Sequence, residues 1–172
     1  MIERLETQRL VLRRPRARDW PAFLGYAMSS RAQYTGGLQW NGHAWRTFAA
    51  EIGHWEIRGY GMFIVTERGD DAAIGLAGPW YPVGWPEREI GWMMFDAAHE
   101  GRGYAGEAAG AALAHAFGPL GWDTAVSYIE PGNARSIALA ERLGAVRDDA
   151  AKPLSPGDLV YRHRAPSLAG AA

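Results

Sequence analysis

Three stretches of this 172-residue chain set residue types at spacings that do chemistry. In EGRGYAGE, residues 100–107, Gly101, Gly103 and Gly106 form a G-x-G-x-x-G pattern ahead of an alanine-rich run. Such a turn at a helix entry aims successive main-chain N–H groups at one point and adds the positive end of the helix dipole, so it holds a pyrophosphate with few basic side chains. In EREIGWMMF, residues 87–95, Glu87 and Glu89 fall on one face of a strand, and either carboxylate suits a general base. A strand carboxylate paired with Arg88 is the competing reading of Glu89. In NARSIALAERLGA, Asn133 suits a helix cap and Ser136 stands in the first turn, where its hydroxyl can donate a proton or back-bond within the helix.

The glycine pattern is shared with dinucleotide-binding turns, which put the first glycine at a strand end and an acidic residue about 20 positions on. Glu130 stands near that place. However, Asp96 to Glu100 intervene between the strand ending at Phe95 and Gly101, and too little chain follows Glu130 to complete such a domain. A nicotinamide-type reading is therefore disfavoured, while the turn's suitability for another phosphate survives.

The elements that must position these residues follow from period and punctuation. Residues 9–14 read as a strand, and Asp19 as the N-cap of a helix to about 29. Asn41 caps a second helix to about 58, with Trp45, Phe48, Ile52 and Trp55 as its apolar stripe. Residues 61–67, 73–80 and 87–95 read as three strands. Residues 105–117 read as a helix with a small-residue face of Ala109, Ala112, Leu113 and Ala116, 124–129 as a strand and 133–143 as a helix. Residues 145–148 and 159–163 supply two closing strands. The order predicts an α/β fold, a mixed central sheet of about six to seven strands flanked by about four helices, in one domain over 1–164 with a tail at 165–172.

Composition narrows the function. A net charge of −1, with 18 basic and 19 acidic residues spread along the chain, argues against nucleic acid or an anionic membrane as a partner. The cluster Arg13, Arg14, Arg16, Arg18 reads as a solvated strand exit. With no cysteine, and histidines lacking ligand spacing, no metal is expected. The charged opening and the lack of a long apolar run predict a cytoplasmic protein.

Taken together the motifs resemble the GNAT superfamily of acyl-CoA-dependent N-acyltransferases. EGRGYAGEA is similar to the pattern Q/R-x-x-G-x-G/A, with Glu100 in place of the usual Gln or Arg. NARSIALAERLGA is similar to N-x-x-S/A-x-x-x-x-E-x-x-G-F through Asn133, Ser136, Glu141 and Gly144, and ETQRLVLRR is similar to the opening of the RimJ/RimL-like branch. The resemblance implies acetyl transfer from acetyl-CoA to a primary amine, either a small molecule or a peptide N-terminus. It implies Glu89 as the base and Ser136 as the proton donor, since the tyrosine many members use is replaced by Ala140.

Coenzyme contacts are implied at Met93, Met94 and Phe95 through their main chain. Further contacts fall on Gly101, Arg102, Gly103, Tyr104, Ala105, Gly106, Glu107, Asn133 and Ser136. The acceptor pocket is implied among Tyr34, Trp40, Trp80, Tyr81 and Trp85. A homodimer is compatible with the resemblance, and a catalytically silent acyl-CoA-binding module is the alternative to an enzyme.

Overall fold

The computed structural model describes residues 2–166. Most of the expected tail, residues 167–172, lies outside them. Eight strands form a single sheet in the order β1-β2-β3-β4-β5-β6-β8-β7: β1 Arg4–Glu6, β2 Leu10–Arg13, β3 Phe63–Glu67, β4 Gly75–Trp80, β5 Glu89–Met94, β6 Thr124–Ile129, β7 Val146–Arg147 and β8 Leu159–Arg164. Every neighbouring pair is antiparallel except β5 and β6, which α3 (Tyr104–Phe117) connects as a crossover. The other helices are α1 (Trp20–Ala27), α2 (Asn41–Arg58) and α4 (Ala134–Arg142). The α/β expectation holds, with one strand more than expected. The addition, β1, lies in the charged opening and pairs with β2 as a short edge strand.

Alternation along the strands sorts the core onto two faces. Ile64, Leu76, Met93 and Phe95 pack with Phe23 and Tyr26 of α1 and with Ala44 and Phe48 of α2. Phe63, Val65, Ala77 and Met94 pack with Tyr104 and Ala108 of α3, and Ile90 with Ala112 and Leu113. Ala108, Ala109, Ala112 and Ala116 are fully buried, and their small side chains bring α3 close against the sheet.

The buried stripe of α2 runs through Ala44, Phe48, Glu51 and Trp55, at the four-three-four spacing of a helix face. The expected stripe began one residue later, at Trp45, whose ring is 57% exposed and meets only the edge of Trp20. Helix α2 ends where Gly59, at φ 76°, donates its N–H to Trp55 O. The expected cap Asn41 is instead the first helical residue; Trp40 holds the cap position without a side-chain hydrogen bond.

In the arginine cluster Arg16 and Arg18 are exposed as expected, Arg14 is half-buried, and Arg13 is the exception. Arg13 is 2% exposed and donates from two nitrogens to Asp19, at 2.8 and 2.7 Å, with Asp71 on its Nε. Asp19 also accepts from the Arg16 amide at 2.7 Å. Asp19 holds the expected N-cap position of α1 without a cap hydrogen bond to that helix; its carboxylate instead ties the end of β2 to the helix start. Removing one partner of a buried pair leaves the other charge uncompensated. Asp19→Ala is expected to lower stability by about 3 kcal/mol in a urea denaturation.

Candidate functional site

The two motif-bearing regions meet where β5 and β6 part. The strands share one register pair, Glu89 with Val126, and the Val126 amide donates to Arg88 O at 2.9 Å. One step on, the Ser127 hydroxyl stands in for the ladder and donates to Ile90 O at 2.6 Å. Because that hydroxyl has one proton, the 3.0 Å contact to His163 Nε2 requires the ring to donate there. His163 Nδ1 is buried without a partner, and burial pushes the ring's pKa down to about 4, so it stays neutral.

Arg88 and Ile90 carbonyls thus face β6, which directs Trp92 and Met94 main-chain groups into the gap beyond. The Phe95 amide points the other way and donates to Ile74 O at 2.8 Å. Of the expected main-chain donors Met93, Met94 and Phe95, only Met94 faces the gap; Trp92 joins it, while Met93 and Phe95 serve β4.

Below the gap lies the glycine turn. Gly101 and Gly103 take φ of 70° and 80°, a conformation other residues adopt only with strain, and Gly103 is the N-cap residue of α3. The amides of Tyr104, Ala105 and Gly106 precede the first intrahelical bond, from Glu107 N to Gly103 O, and so remain free to face an anion. Gly106 has a second role: a Cβ there would stand 3.3 Å from Leu139 of α4.

The side chains around the turn are engaged elsewhere. Tyr104 is buried between the guanidinium groups of Arg9 and Arg102, and Arg102 pairs with Glu67. The Glu107 carboxylate accepts from Thr7 Oγ1 at 2.6 Å and from the Arg9 amide and side chain at 2.8 and 2.7 Å. Arg102 and Tyr104 therefore offer the turn only their main chain, and Glu107 offers neither its amide, bonded to Gly103 O, nor its carboxylate; all three side chains turn to the β1–β2 end. Glu100 accepts from Arg31 at 2.6 Å and pairs with Arg135; the two arginines hold its pKa below the ordinary range against its partial burial. Arg31 also donates to Met94 O and Phe95 O. Asn133 Oδ1 caps α4 by accepting from the Ser136 amide, and Ser136 Oγ accepts from Trp92 Nε1 at 3.3 Å, which leaves the serine proton free.

On the opposite face of β5 sits Glu89. Trp85 Nε1 donates to its Oε2 at 2.6 Å, and Trp80 meets Trp85 edge-on. Burial pushes Glu89 up to about 7; hydrogen bonds from Trp85 and the Tyr128 main chain oppose the rise, and the charge of Asp158 adds to it. The competing ion pair with Arg88 does not form, since Arg88 lies over the Trp122 ring. Glu87 is held by both terminal nitrogens of Arg162, at 2.8 Å each, and is unsuited to moving a proton.

Trp80 stacks on His54 at 4.4 Å, and the Tyr81 amide donates to His54 Nε2. Trp80 and Trp85 thus share one wall with Glu89, while the Tyr81 ring lies under the Arg58 guanidinium at 5.3 Å. Tyr34 lies apart, against Gly132 before α4, and Trp40 is 64% exposed under Arg46, so neither joins that wall. Ser127, Trp92 and Arg31 carried no signal in the sequence, since their importance comes from partners distant in the chain. Glu51 did carry one, a lone carboxylate in the centre of an apolar stripe.

Comparison with known proteins fits this geometry. Residues 9–146 match the Acetyltransferase (GNAT) domain family, and the chain belongs to that family, whose acetyl donor is acetyl-CoA. The crystal structure of the acetyltransferase from Agrobacterium tumefaciens strain C58 is similar at 37% identity, covering 95% of both chains, with a TM-score of 0.91. YkkB of Bacillus subtilis, itself uncharacterised, is 35% identical over 91 residues, so the match spans about half of this chain and 52% of that relative. RimL, a ribosomal L7/L12 α-N-protein acetyltransferase solved with coenzyme A, shares the fold at 17% identity and a TM-score of 0.72, over 94% of this chain and 98% of that one.

Removing the Ser127 hydroxyl leaves Ile90 O and the His163 N–H buried without partners, a loss of about 1–3 kcal/mol per unsatisfied group. Ser127→Ala is expected to destabilise by about 2 kcal/mol and to speed amide exchange at residues 90–94 relative to the β2–β3 ladder.

Proposed function

We propose that this protein transfers the acetyl group of acetyl-CoA to a primary amine by direct attack, with Glu89 as general base. The observation that carries the reading is a carboxyl without an ion-pair partner among the described residues, pushed up to about 7, beside the gap between β5 and β6. A base of that pKa accepts a proton at neutral pH and releases it again. The acceptor nitrogen attacks the thioester carbonyl, the carbon–sulfur bond breaks, and the proton lost by nitrogen goes to Glu89. Main-chain amides of Trp92 and Met94 face the developing oxyanion, where fixed dipoles stabilise charge without reorganisation. Ser136, with its oxygen occupied by Trp92, gives its proton to the departing sulfur and regains one from solvent, to which Glu89 releases the proton it took. The first-turn amides of α3 hold the pyrophosphate.

Trp80, Tyr81 and Trp85 line the acceptor side, and Tyr34 joins the coenzyme side through its contact with Gly132. The opening ETQRLVLRR and Ser136 support a RimJ/RimL-like relationship, and with it a peptide α-amine as well as a small amine as the acceptor. A lysine-type amine, with a pKa near 10.4, depends more on the base than an α-amine near 8.

Thiol release from acetyl-CoA, assayed with aliphatic amines and N-terminal peptides, tests the reading. Glu89→Gln is expected to lower turnover at least 100-fold with acetyl-CoA affinity within about twofold of wild type. No thiol release with any acceptor would establish a silent binding module instead. Because the ionised form is the base, turnover should fall as pH drops through about 7. Trp85→Phe removes a donor that favours the carboxylate, so the acid limb of the profile should move to higher pH.

Glu100→Gln restores a residue usual at this place in the family and frees Arg31 and Arg135 from a neutralising charge. Calorimetry is expected to show acetyl-CoA binding a few-fold tighter at low salt, with the difference lost near 0.5 M salt.

A further inference from the structure

Glu51 breaks the pattern of α2. It occupies the apolar stripe between Phe48 and Trp55, is 4% exposed, and its Oε2 is sealed from solvent without a hydrogen-bond partner. A carboxyl in such a place destabilises the fold where an apolar side chain would not, and the elements opposite suggest a reason for it. One turn on, His54 stacks on Trp80, which is the cross-strand partner of Glu89. Next to Glu89 on the same face of β5 is Gly91, and the space its missing side chain leaves is bounded by Met62 Cε at 3.2 Å and Glu89 Oε1 at 3.9 Å. Met62 packs with Phe48 and Ala44 of α2. The stripe holding Glu51 therefore covers the bare stretch of β5 beside Glu89, and no ion pair involves either acid among the described residues.

Arg58 lies over the Tyr81 ring and pairs with neither acid among the described residues. Tyr128 of β6, pushed up to about 12 by burial, is neutral at physiological pH, and Asp158 ahead of β8 is a further acid. Glu87 is already matched by Arg162. His54 accepts the Tyr81 amide at Nε2 and faces Tyr60 O with Nδ1, which fixes it as a neutral ring. Burial pushes Glu51 up to about 8, and the charge of Glu89 contributes to the rise. Two like acids in one enclosure share a proton more readily than they carry two charges.

We infer that Glu51 is the second carboxyl of the acceptor groove: with Glu89 it holds one proton when the groove is empty, and together they receive an acceptor nitrogen that arrives as an ammonium ion. The inference rests on Glu89 lining the acceptor side. It assigns the acceptor class as aliphatic amines and peptide α-amines, charged on entry, in preference to arylamines and alcohols. The entering cation displaces the shared proton to solvent. The nitrogen then gives up two protons on the way to the amide. Glu89 takes the one lost before attack; the one lost after attack passes to solvent, which returns to Ser136 the proton given to the departing sulfur.

The test uses the whole chain and Glu51→Gln, which has nearly the shape of the protonated acid. In infrared titration, wild type is expected to show a protonated-carboxyl band at pH 7.5, far above the ordinary glutamate range. The band should be largely lost from Glu51→Gln and should decrease on adding n-butylammonium chloride to the coenzyme A-saturated protein. In turnover, Glu51→Gln should raise KM for an aliphatic amine at least tenfold with a smaller change in kcat. The acid limb of the profile should stay where wild type has it, because Glu51 is already uncharged in the range where Glu89 titrates. No band at pH 7.5, a band untouched by n-butylammonium, or an unmoved KM each overturns the inference. Loss of acetyl-CoA binding in wild type would instead overturn the acetyltransferase reading beneath it.

Discussion

The site depends on a ladder that stops. Between β5 and β6 a parallel pairing begins at Glu89 and Val126 and would ordinarily continue, because each rung makes the next one easier to form. It is halted by a side chain: the Ser127 hydroxyl takes Ile90 O, with His163 behind it. The amides of Trp92 and Met94 are then left unclaimed inside an otherwise continuous sheet, a condition a core strand tolerates only where something else satisfies its polar groups. The glycine turn and α3 lie under one side of that opening and the aromatic wall with Glu89 under the other. A thioester reaching the gap from the helix side and an amine from the wall side therefore meet across one strand.

Charge around the opening follows a division between acids that have a guanidinium and acids that do not. Glu87, Glu100 and Glu107 each accept from arginine, and Glu100 and Glu107 are held below the ordinary range. These acids are fixtures that set loops and helix ends in place. Glu51 and Glu89 have no such partner, and burial lifts both toward neutrality. The same residue type is thus made structural or proton-active by its surroundings alone, the separation expected of a site built for proton transfer.

The regular parts of the fold were legible from period and punctuation. The strand at 124–129 emerges with its expected bounds and α2 within one residue of them, because each segment is closed by a glycine or a turn. What escaped depends on distant partners. β1 is three residues of a charged segment, recognisable as a strand only once β2 is beside it. The face of α2 moved by one residue because Ala44, and not the bulkier Trp45, fits beneath α1. Arg13 looked like its solvated neighbours until Asp19 and Asp71 closed around it. In the site, the positive φ of Gly101 and Gly103 was readable from the glycines themselves. The outward turn of Arg102 and Glu107 depends on Glu67, Thr7 and Arg9, which no local pattern brings near.

The clasp from Thr7 and Arg9 onto Glu107 also binds two motions into one equilibrium. An edge strand as short as β1 opens more often than the rest of its sheet, and the turn that follows it carries both donors to the mouth of α3. Each such opening loosens the helix end whose amides face outward. By reciprocity, an anion seated on those amides must quiet the far margin of the sheet as much as the margin's rest steadies the seat. Slowed solvent exchange in the first dozen residues is thus another expression of occupancy at the helix mouth.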